Sequence, residues 1–193
     1  MPSGGWLTAV LNTYWNSVCT RTAWYYLAPQ PLKDKFDELV ELFCNGDDNI
    51  KAQHAPVLSF FNNVDFAAFA HKHFDWTVVN PDKTPDLKPS IPFSEVEYLK
   101  RQFVVDGPCI YPRLERKTLE MMVYWVKNDG ENTIEHQTML NCHSALKEWF
   151  FYGPEEFEKQ KRILNLFLRE LNPNWVFNRT WSDLHKDYID GAF

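Results

Sequence analysis

The chain opens with a pattern of apolar and polar positions that predicts a long amphipathic helix after residue 5. Its apolar residues recur at the i, i+3, i+4 and i+7 spacing of a helix face buried against a core. They are Leu7, Val10, Leu11, Tyr14, Trp15 and Val18. Polar residues recur on another face at Thr8, Asn12 and Asn16, and we expect Asn16 to face solvent. Pro29 and Pro31 end the helix, because proline lacks a backbone donor.

A second pattern predicts a β-hairpin. The apolar run at residues 39–43 precedes Asn45-Gly46, and apolar and polar residues alternate over residues 50–53. Asn-Gly between two strand-like runs favours a tight turn, because both residues tolerate positive φ. Asp47 and Asp48 follow this pair directly. We therefore expect their two carboxylates together at the hairpin tip.

The rest of the chain predicts an α+β fold. Ahead of residue 113 we expect a helix at residues 58–74, a strand at 75–79, and a second hairpin at 96–111 that turns at Asp106-Gly107. Helices dominate from Arg113 onward. We expect them at residues 118–127, after a cap formed by Asn132 and Glu135, from Gly153-Pro154 to Asn172-Pro173, and once within 175–193.

Composition narrows the class of protein. The 193 residues are 45% hydrophobic and 16% aromatic, which indicates a packed globular chain. The net charge of −6 argues against nucleic-acid affinity spread over the whole surface. The four cysteines are widely spaced, as is typical of reduced thiols in an intracellular protein. No apolar run approaches the roughly 18 residues that a membrane span requires.

The adjacent carboxylates of Asp47 and Asp48 suit a hard cation. Mg²⁺ is commonly held by one or two carboxylates together with substrate phosphates. Taken alone, Gly46-Asp47-Asp48 is more often a solvated acidic turn than a metal site. Three other segments of the chain, considered together with this one, favour the metal site.

Four segments in order resemble motifs B, C, D and E of viral RNA-dependent RNA polymerases, and the picornavirus-like group in particular. They are Met1-Pro2-Ser3-Gly4-Gly5-Trp6-Leu7-Thr8 with Asn12, then Cys44-Asn45-Gly46-Asp47-Asp48-Asn49, then Asn80-Pro81-Asp82-Lys83, and finally Glu97-Tyr98-Leu99-Lys100-Arg101. The resemblance covers nearly the whole chain. It implies a partial palm, an antiparallel sheet with covering helices, in residues 1–112 and a mostly helical thumb in residues 113–193. Asn45 stands where that group normally has Tyr, which bears on the subgroup rather than on metal binding.

The resemblance also implies the chemistry. Asp47 and Asp48 would be the catalytic metal ligands, for Mg²⁺ or alternatively Mn²⁺, in two-metal nucleotidyl transfer. Lys83 would protonate the departing pyrophosphate. Lys100 and Arg101 would contact the backbone of the primer RNA, although charged residues at a sheet edge also serve solvation.

The residues of motif B would contact the template and the incoming nucleotide. They are Ser3, Gly4, Gly5, Thr8 and Asn12. Asn12 would take part in recognising the ribose 2′-hydroxyl, which both donates and accepts hydrogen bonds, as an amide does. This match disfavours a reverse-transcriptase-like palm.

The implied partners are an RNA template and primer, nucleoside triphosphates and the N-terminal part of the polymerase. Met1 falls inside motif B, so we expect the fingers and another catalytic aspartate upstream, and we expect this chain alone to be inactive. The family resemblance places the protein in the host cytoplasm, in a membrane-associated replication complex. The alternative is a non-catalytic RNA-binding or interaction fragment from a truncated or integrated viral sequence.

Overall fold

The computed structural model describes residues 6–80, 83–84, 86–126 and 133–193. The fold is α+β, as predicted, and divides into two compact units, Met1–Leu99 and Lys100–Phe193. Within the described ranges, no helix is both long and apolar enough to cross a membrane.

Where the structure describes it, the first unit combines three α-helices with a two-stranded hairpin and one short strand. These elements are α1 (Trp6–Leu27), α2 (Phe36–Leu39), β1 (Val40–Asn45), β2 (Asp48–Gln53), α3 (Asn63–Phe74) and β3 (Glu97–Tyr98). Short 3-10 helices lie at Gln30–Leu32, Ala55–Ser59 and Phe93–Glu95. The expected end of the first helix before Pro29 is confirmed.

The β1–β2 hairpin is confirmed, with its turn one residue later than expected. The strands are antiparallel and pair Asn45 with Asp48, so that the two turn residues are Gly46 and Asp47. Gly46 has a φ of 64°, a conformation that costs glycine little because it has no Cβ. Asn45 therefore lies in the strand rather than in the turn.

The core of the first unit lies against the C-terminal half of α1. The indole of Trp24 is 1% exposed and packs edge-on against Phe36 and Phe61, with ring centroids 5.5 and 5.4 Å apart. Its Nε1 donates a 2.9 Å hydrogen bond to the carbonyl of Lys33. The other buried members are Ala23, Ala28, Val40, Val57, Phe66 and Phe69.

The predicted buried face of α1 is wrong. Five of the six apolar residues in the predicted stripe are exposed, among them Tyr14 at 65% and Val10 at 56%. The buried face instead consists of Asn16, Cys19, Thr20, Ala23 and Trp24. It is buried because β1 and α3 pack against this side of the helix. The expectation that Asn16 faces solvent is therefore also wrong.

The structure differs from two further predictions for the first unit. The helix expected from residue 58 begins at Asn63, because the Asn62 side chain accepts hydrogen bonds from the Val64 and Asp65 amides and caps it there. No strand forms at residues 75–79. Asp75 ends α3 with a φ of 54°, and the coil that follows lets Val78 pack on the core without a strand partner.

In its described residues, the second unit contains a hairpin, four α-helices and short 3-10 helices at Phe150–Tyr152 and Pro173–Trp175. The strands and α-helices are β4 (Arg101–Asp106), β5 (Cys109–Leu114), α4 (Arg116–Met122), α5 (Ile134–Trp149), α6 (Pro154–Leu171) and α7 (Trp181–Ile189). The predicted hairpin is confirmed, although positive φ values at Leu99 and Lys100 interrupt its first strand. The α6 bounds and the single final helix also agree with prediction, whereas α4 is shorter than predicted.

The compact units divide at residue 99, and Tyr111 of β5 lies in the core of the second unit beside Phe150 and Phe151. The border between palm and thumb at residue 112 stays a prediction. The cap of α5 differs from expectation. Thr133 accepts the hydrogen bond from the His136 amide, and Asn132 lies outside the described residues.

Candidate functional site

The first feature of the site is the tip of the β1–β2 hairpin. Asp47 occupies the turn, and Asp48 is the first residue of β2. Both side chains are exposed to solvent. The sequence prediction that the two aspartates lie together at a hairpin tip is met. Exposed carboxylate oxygens on a tight turn are the donor type that Mg²⁺ or Mn²⁺ prefers, so the residues present fit such an ion.

The second feature is a set of hydrogen bonds from α1 to this tip. The Asn16 Nδ2 donates to the carbonyl oxygens of Asp47 at 2.9 Å and Gly46 at 3.4 Å. The Asn16 Oδ1 accepts from the Nδ2 of Asn49 at 3.0 Å. The Thr13 Oγ1 accepts from the backbone amide of Gly46 at 2.7 Å. Helix α1 thus holds the backbone of the turn that carries the aspartates.

Sequence reasoning did not single out Thr13 and assigned Asn16 to solvent. The recurrence of polar residues at 8, 12 and 16 was the available signal. Residues four apart lie on the same side of a helix. Because Asn16 contacts the tip, Asn12 and Thr8 lie on the same side of α1, one and two turns nearer its N-terminus. Asn12 is exposed and Thr8 is half-buried.

The structure therefore brings Asn12 and the two aspartates to one region of the first unit. The other predicted motif B residues, Ser3, Gly4 and Gly5, lie outside the described residues.

Lys83 is exposed to solvent. Its backbone amide donates a 2.8 Å hydrogen bond to the Asn80 carbonyl, and its φ is 62°. Pro81 and Asp82 lie outside the described residues. Across the described ranges, no ion pair joins Lys83 to Asp47 or Asp48. Its predicted role as the proton donor stays a prediction.

Lys51, four residues after Asp47, is half-buried. Its Nζ lies 4.2 Å from the ring centroid of Phe66 and 5.1 Å from that of Phe61. In the part of the chain that the structure describes, no carboxylate forms an ion pair with it. Burial lowers the pKa of Lys51 to about 8. The strand that leads away from the aspartates is thus anchored in an aromatic core.

The phenol of Tyr98, in β3, lies close to charged groups of the β1–β2 hairpin. Burial raises the pKa of the Tyr98 phenol, and the nearby Cys44 and Asp48 raise it further. Strand β3 also packs against β2, and both strands belong to the first unit. The segment that resembles motif E thus begins beside the segment that resembles motif C.

Lys100 and Arg101 differ in their surroundings. Lys100 is exposed and has a φ of 60°. The guanidinium of Arg101 donates to both carboxylate oxygens of Glu148 and to the Pro112 carbonyl, each at 2.8 Å. The hydrogen bond to Glu148 raises the pKa of Arg101. Arg101 therefore has a contact within the fold that the sequence prediction of a phosphate contact did not include.

No group of three or more His, Cys, Asp and Glu side chains able to hold a metal occurs among residues 6–80, 83–84, 86–126 and 133–193. A metal at the hairpin tip would thus take from this part of the chain the oxygens of Asp47 and Asp48. Mg²⁺ in proteins commonly takes its remaining ligands from water and substrate phosphates.

The fold resembles that of a known polymerase. The structure titled Sicinivirus 3Dpol RNA dependent RNA polymerase matches 96% of this chain with a TM-score of 0.66 and 19% sequence identity. The match covers 36% of that polymerase chain. At this identity the likeness establishes the fold class, which is that of a viral polymerase.

Sequence comparison then establishes the family. Residues 1–167 match the family model described as "Viral RNA-dependent RNA polymerase", and the chain belongs to that family. The chain is 26% identical over 183 residues to the RNA1 polyprotein of Tomato ringspot virus (isolate raspberry), covering 94% of the chain. It is 32% identical over 164 residues to the RNA1 polyprotein of Satsuma dwarf virus (isolate Satsuma mandarin/Japan/S-58/1977), covering 81%. The chain spans 8% of the length of each polyprotein. The resemblance seen in the four motifs is confirmed.

Proposed function

We propose that this chain forms the C-terminal part of an RNA-templated RNA polymerase that replicates a viral genome, and that it supplies carboxylates of the active site. One observation carries the proposal: a chain of the viral RNA-dependent RNA polymerase family presents exposed Asp47 and Asp48 on a turn held by α1. The short share of the relatives' length that it spans, 36% of the polymerase structure, agrees with a partial polymerase.

In this proposal Asp47 is the principal metal ligand and Asp48 supports it. Bound Mg²⁺ or Mn²⁺ ions would activate the primer 3′-hydroxyl and neutralise charge on the triphosphate. The position of Asp47 in a constrained turn limits the directions its carboxylate can take. Constraint of this kind matters because a misplacement of the reacting groups by about 1 Å can lower the rate by about 100-fold.

Asn12 is proposed to bind the ribose 2′-hydroxyl, and its side of α1 faces the turn that carries the aspartates. Its amide can donate and accept, which matches the hydroxyl. Thr8 and the Ser3-Gly4-Gly5 segment are proposed to contact the template and the incoming nucleotide. Lys83 is proposed as the general acid for the pyrophosphate, since a lysine on an exposed loop can approach a leaving oxygen that gains charge.

In the second unit, Lys100 and Arg101 are proposed to contact the primer backbone. Lys100 is exposed, whereas Arg101 is bound to Glu148 through two donors. The proposed partners are the RNA template and primer, nucleoside triphosphates, and the upstream part of the polymerase with its fingers and further aspartate. The proposed location is a membrane-associated replication complex in the host cytoplasm. The proposed palm and thumb are residues 1–112 and 113–193.

The experiment compares two proteins in templated primer extension with Mg²⁺ or Mn²⁺. One is this chain, and the other is the extended polymerase, which we define as this chain joined to the upstream polymerase segment that precedes it. We expect extension only by the extended polymerase, because one Asp-Asp pair cannot fix two ions on both sides of a substrate. Extension by the short chain would contradict its role as a part. An inactive extended polymerase would favour the non-catalytic alternative.

A further inference from the structure

Two polar residues of α1 contact the Gly46-Asp47 turn through its backbone and not through the carboxylates of Asp47 and Asp48. The Thr13 Oγ1 accepts from the Gly46 amide at 2.7 Å, and the Asn16 Nδ2 donates to the Asp47 carbonyl at 2.9 Å. Thr13 and Asn16 are one helical turn apart, so they present their polar atoms on the same side of α1. One helix thus provides an acceptor for the first residue of the turn and a donor for the second.

The hydrogen bonds of Asn16 are costly to break because its side chain is buried. Asn16 is 4% exposed, and it is one of the two buried polar residues in the described part of the chain. Its Nδ2 also reaches the Gly46 carbonyl at 3.4 Å, and its Oδ1 accepts from Asn49 at 3.0 Å. A buried amide left without partners costs about 1–3 kcal/mol. Any displacement of the turn that breaks these hydrogen bonds would leave the buried Asn16 amide without partners, and this cost stabilises the native position of the turn.

A hairpin tip needs such support if its side chains are to have fixed positions. The tip of a two-stranded hairpin has no neighbouring strand beyond it, and a hairpin alone is only marginally stable in water. The carboxylate of Asp47 can move with its backbone because the side chain is exposed. The space around Gly46 does not fix the turn, since a Cβ there would meet no atom within 4 Å. The contacts from α1 restrain the Gly46-Asp47 backbone, in addition to the pairing of Asn45 with Asp48 beside the turn.

We propose that Thr13 and Asn16 are positioning residues that set where the Asp47 and Asp48 carboxylates stand, and thereby set metal affinity and the rate of nucleotidyl transfer. The inference rests on the proposed function. It assigns to the polar side of α1 a task separate from nucleotide recognition by Asn12. Thr13 and Asn16 act through the backbone of the turn, and neither needs to contact a metal or a substrate.

The matched variants are Thr13→Val, which keeps the shape but removes the acceptor, and Thr13→Ser, which restores it. Asn16→Leu removes the buried amide at similar volume. Thr22→Val is the control, because Thr22 lies on the exposed side of the same helix and bonds the Val18 carbonyl within α1. Thr13 makes the same local bond to Ala9, so the control matches the loss of that bond.

The first measurement uses this chain itself. Amide hydrogen exchange should show Gly46 protected in the wild type and exchanging faster in Thr13→Val, with protection restored in Thr13→Ser. Titration with Mn²⁺ should broaden the NMR signals of residues 46–49 at lower concentrations in the wild type than in Thr13→Val or Asn16→Leu. Equal Mn²⁺ titrations in all variants would overturn the proposal, and this result does not depend on polymerase activity.

The second measurement uses the extended polymerase, with the number of competent active sites counted from the burst of extended primer. Per active site, Thr13→Val should lower kcat by about 10- to 100-fold, since a displacement of about 1 Å can cost that much. The Mg²⁺ concentration for half-maximal rate should rise, while the KM for primed template stays the same. Thr13→Ser and Thr22→Val should match the wild type.

These readouts separate a positioning role from a merely structural one. A variant that only destabilises the fold lowers the count of competent sites and leaves the rate per site and the Mg²⁺ requirement unchanged. That outcome for Thr13→Val would contradict the proposal, even if Asn16→Leu fails to fold. An inactive wild-type extended polymerase would contradict the proposed function alone, and the Mn²⁺ titration of this chain would then decide the positioning role.

Discussion

Arg101 and Glu148 form a two-point ion pair, with both guanidinium–carboxylate distances at 2.8 Å. The pair joins strand β4 to helix α5, and the two side chains are 29% and 20% exposed. Bidentate Arg–carboxylate pairs are stronger than single charged hydrogen bonds because both partners are planar. Arg101 therefore helps hold the second hairpin against the helices.

We expect Arg101→Gln to destabilise the second unit by about 1.5–3 kcal/mol, because it removes hydrogen bonds to a partly buried charge. Glu148→Gln should cost a similar amount. The double variant should cost less than the two single variants together, since they share one interaction. Urea unfolding of this chain, followed by circular dichroism, measures these values. Lys100→Gln is the control and should change stability by less than about 0.5 kcal/mol. Additive effects of Arg101→Gln and Glu148→Gln would rule out the pair.

Asn12→Ala in the extended polymerase should reduce the preference for ribonucleotides over deoxyribonucleotides. The variant removes an amide that can bond the 2′-hydroxyl, and one such bond contributes about 0.5–1.5 kcal/mol. The ratio of kcat/KM for the two nucleotides should therefore fall severalfold. Thr22→Ala, another exposed position on α1, should leave the ratio unchanged. An unchanged ratio in Asn12→Ala would make Asn12 a structural helix residue.

Lys51 should make the stability of this chain rise with pH in the alkaline range. Its pKa in the fold is about 8, below the ordinary value of about 10.4 in an unfolded chain. Between these values the unfolded state binds more protons, so the free energy of unfolding increases from about pH 8 to about pH 10.4. Below pH 8 the lysine is charged in both states, and its burial cost is fully present.

The matched variants are Lys51→Met, which removes the charge, and Lys51→Arg, which keeps it at every pH in this range. Lys51→Met should be more stable than the wild type at pH 7, and the difference should shrink as the pH rises to 10. Lys51→Arg should also lack the rise in stability between about pH 8 and pH 10, because arginine stays charged. Unlike Lys51→Met, it should not be more stable than the wild type at pH 7. Denaturant unfolding at several pH values provides the curves. Parallel curves for all three proteins would show that Lys51 is not desolvated in the fold.

The sequence predicted features that depend on local chemistry. The β1–β2 hairpin and the place of Asp47 follow from glycine, because a φ of 64° at Gly46 favours that residue over any with a Cβ. The bounds of α6 follow from Pro154 and Pro173, which are suited to a helix start and a helix end. The motif order along the chain was also sufficient to indicate the polymerase family.

Features that depend on distant partners were missed. Helix α1 has apolar residues on more than one side, so periodicity could not show which side β1 and α3 would cover. The partners of Asn16 lie 30 to 33 positions away, and Glu148 lies 47 positions from Arg101. Residues 75–79 have the composition of a strand, but strand formation also requires a neighbour to accept the hydrogen bonds.

If Asp47 and Asp48 hold the metal for RNA synthesis, removal of the Asp47 carboxylate should abolish the activity of a folded polymerase. Templated primer extension by the extended polymerase is measured for the wild type and for Asp47→Asn. The control is Asp106→Asn, an exposed aspartate beside the glycine turn of the second hairpin. We expect Asp47→Asn to abolish extension at every Mg²⁺ concentration while circular dichroism shows an intact fold, and Asp106→Asn to extend at the wild-type rate. Near-normal extension by a folded Asp47→Asn polymerase would contradict the account.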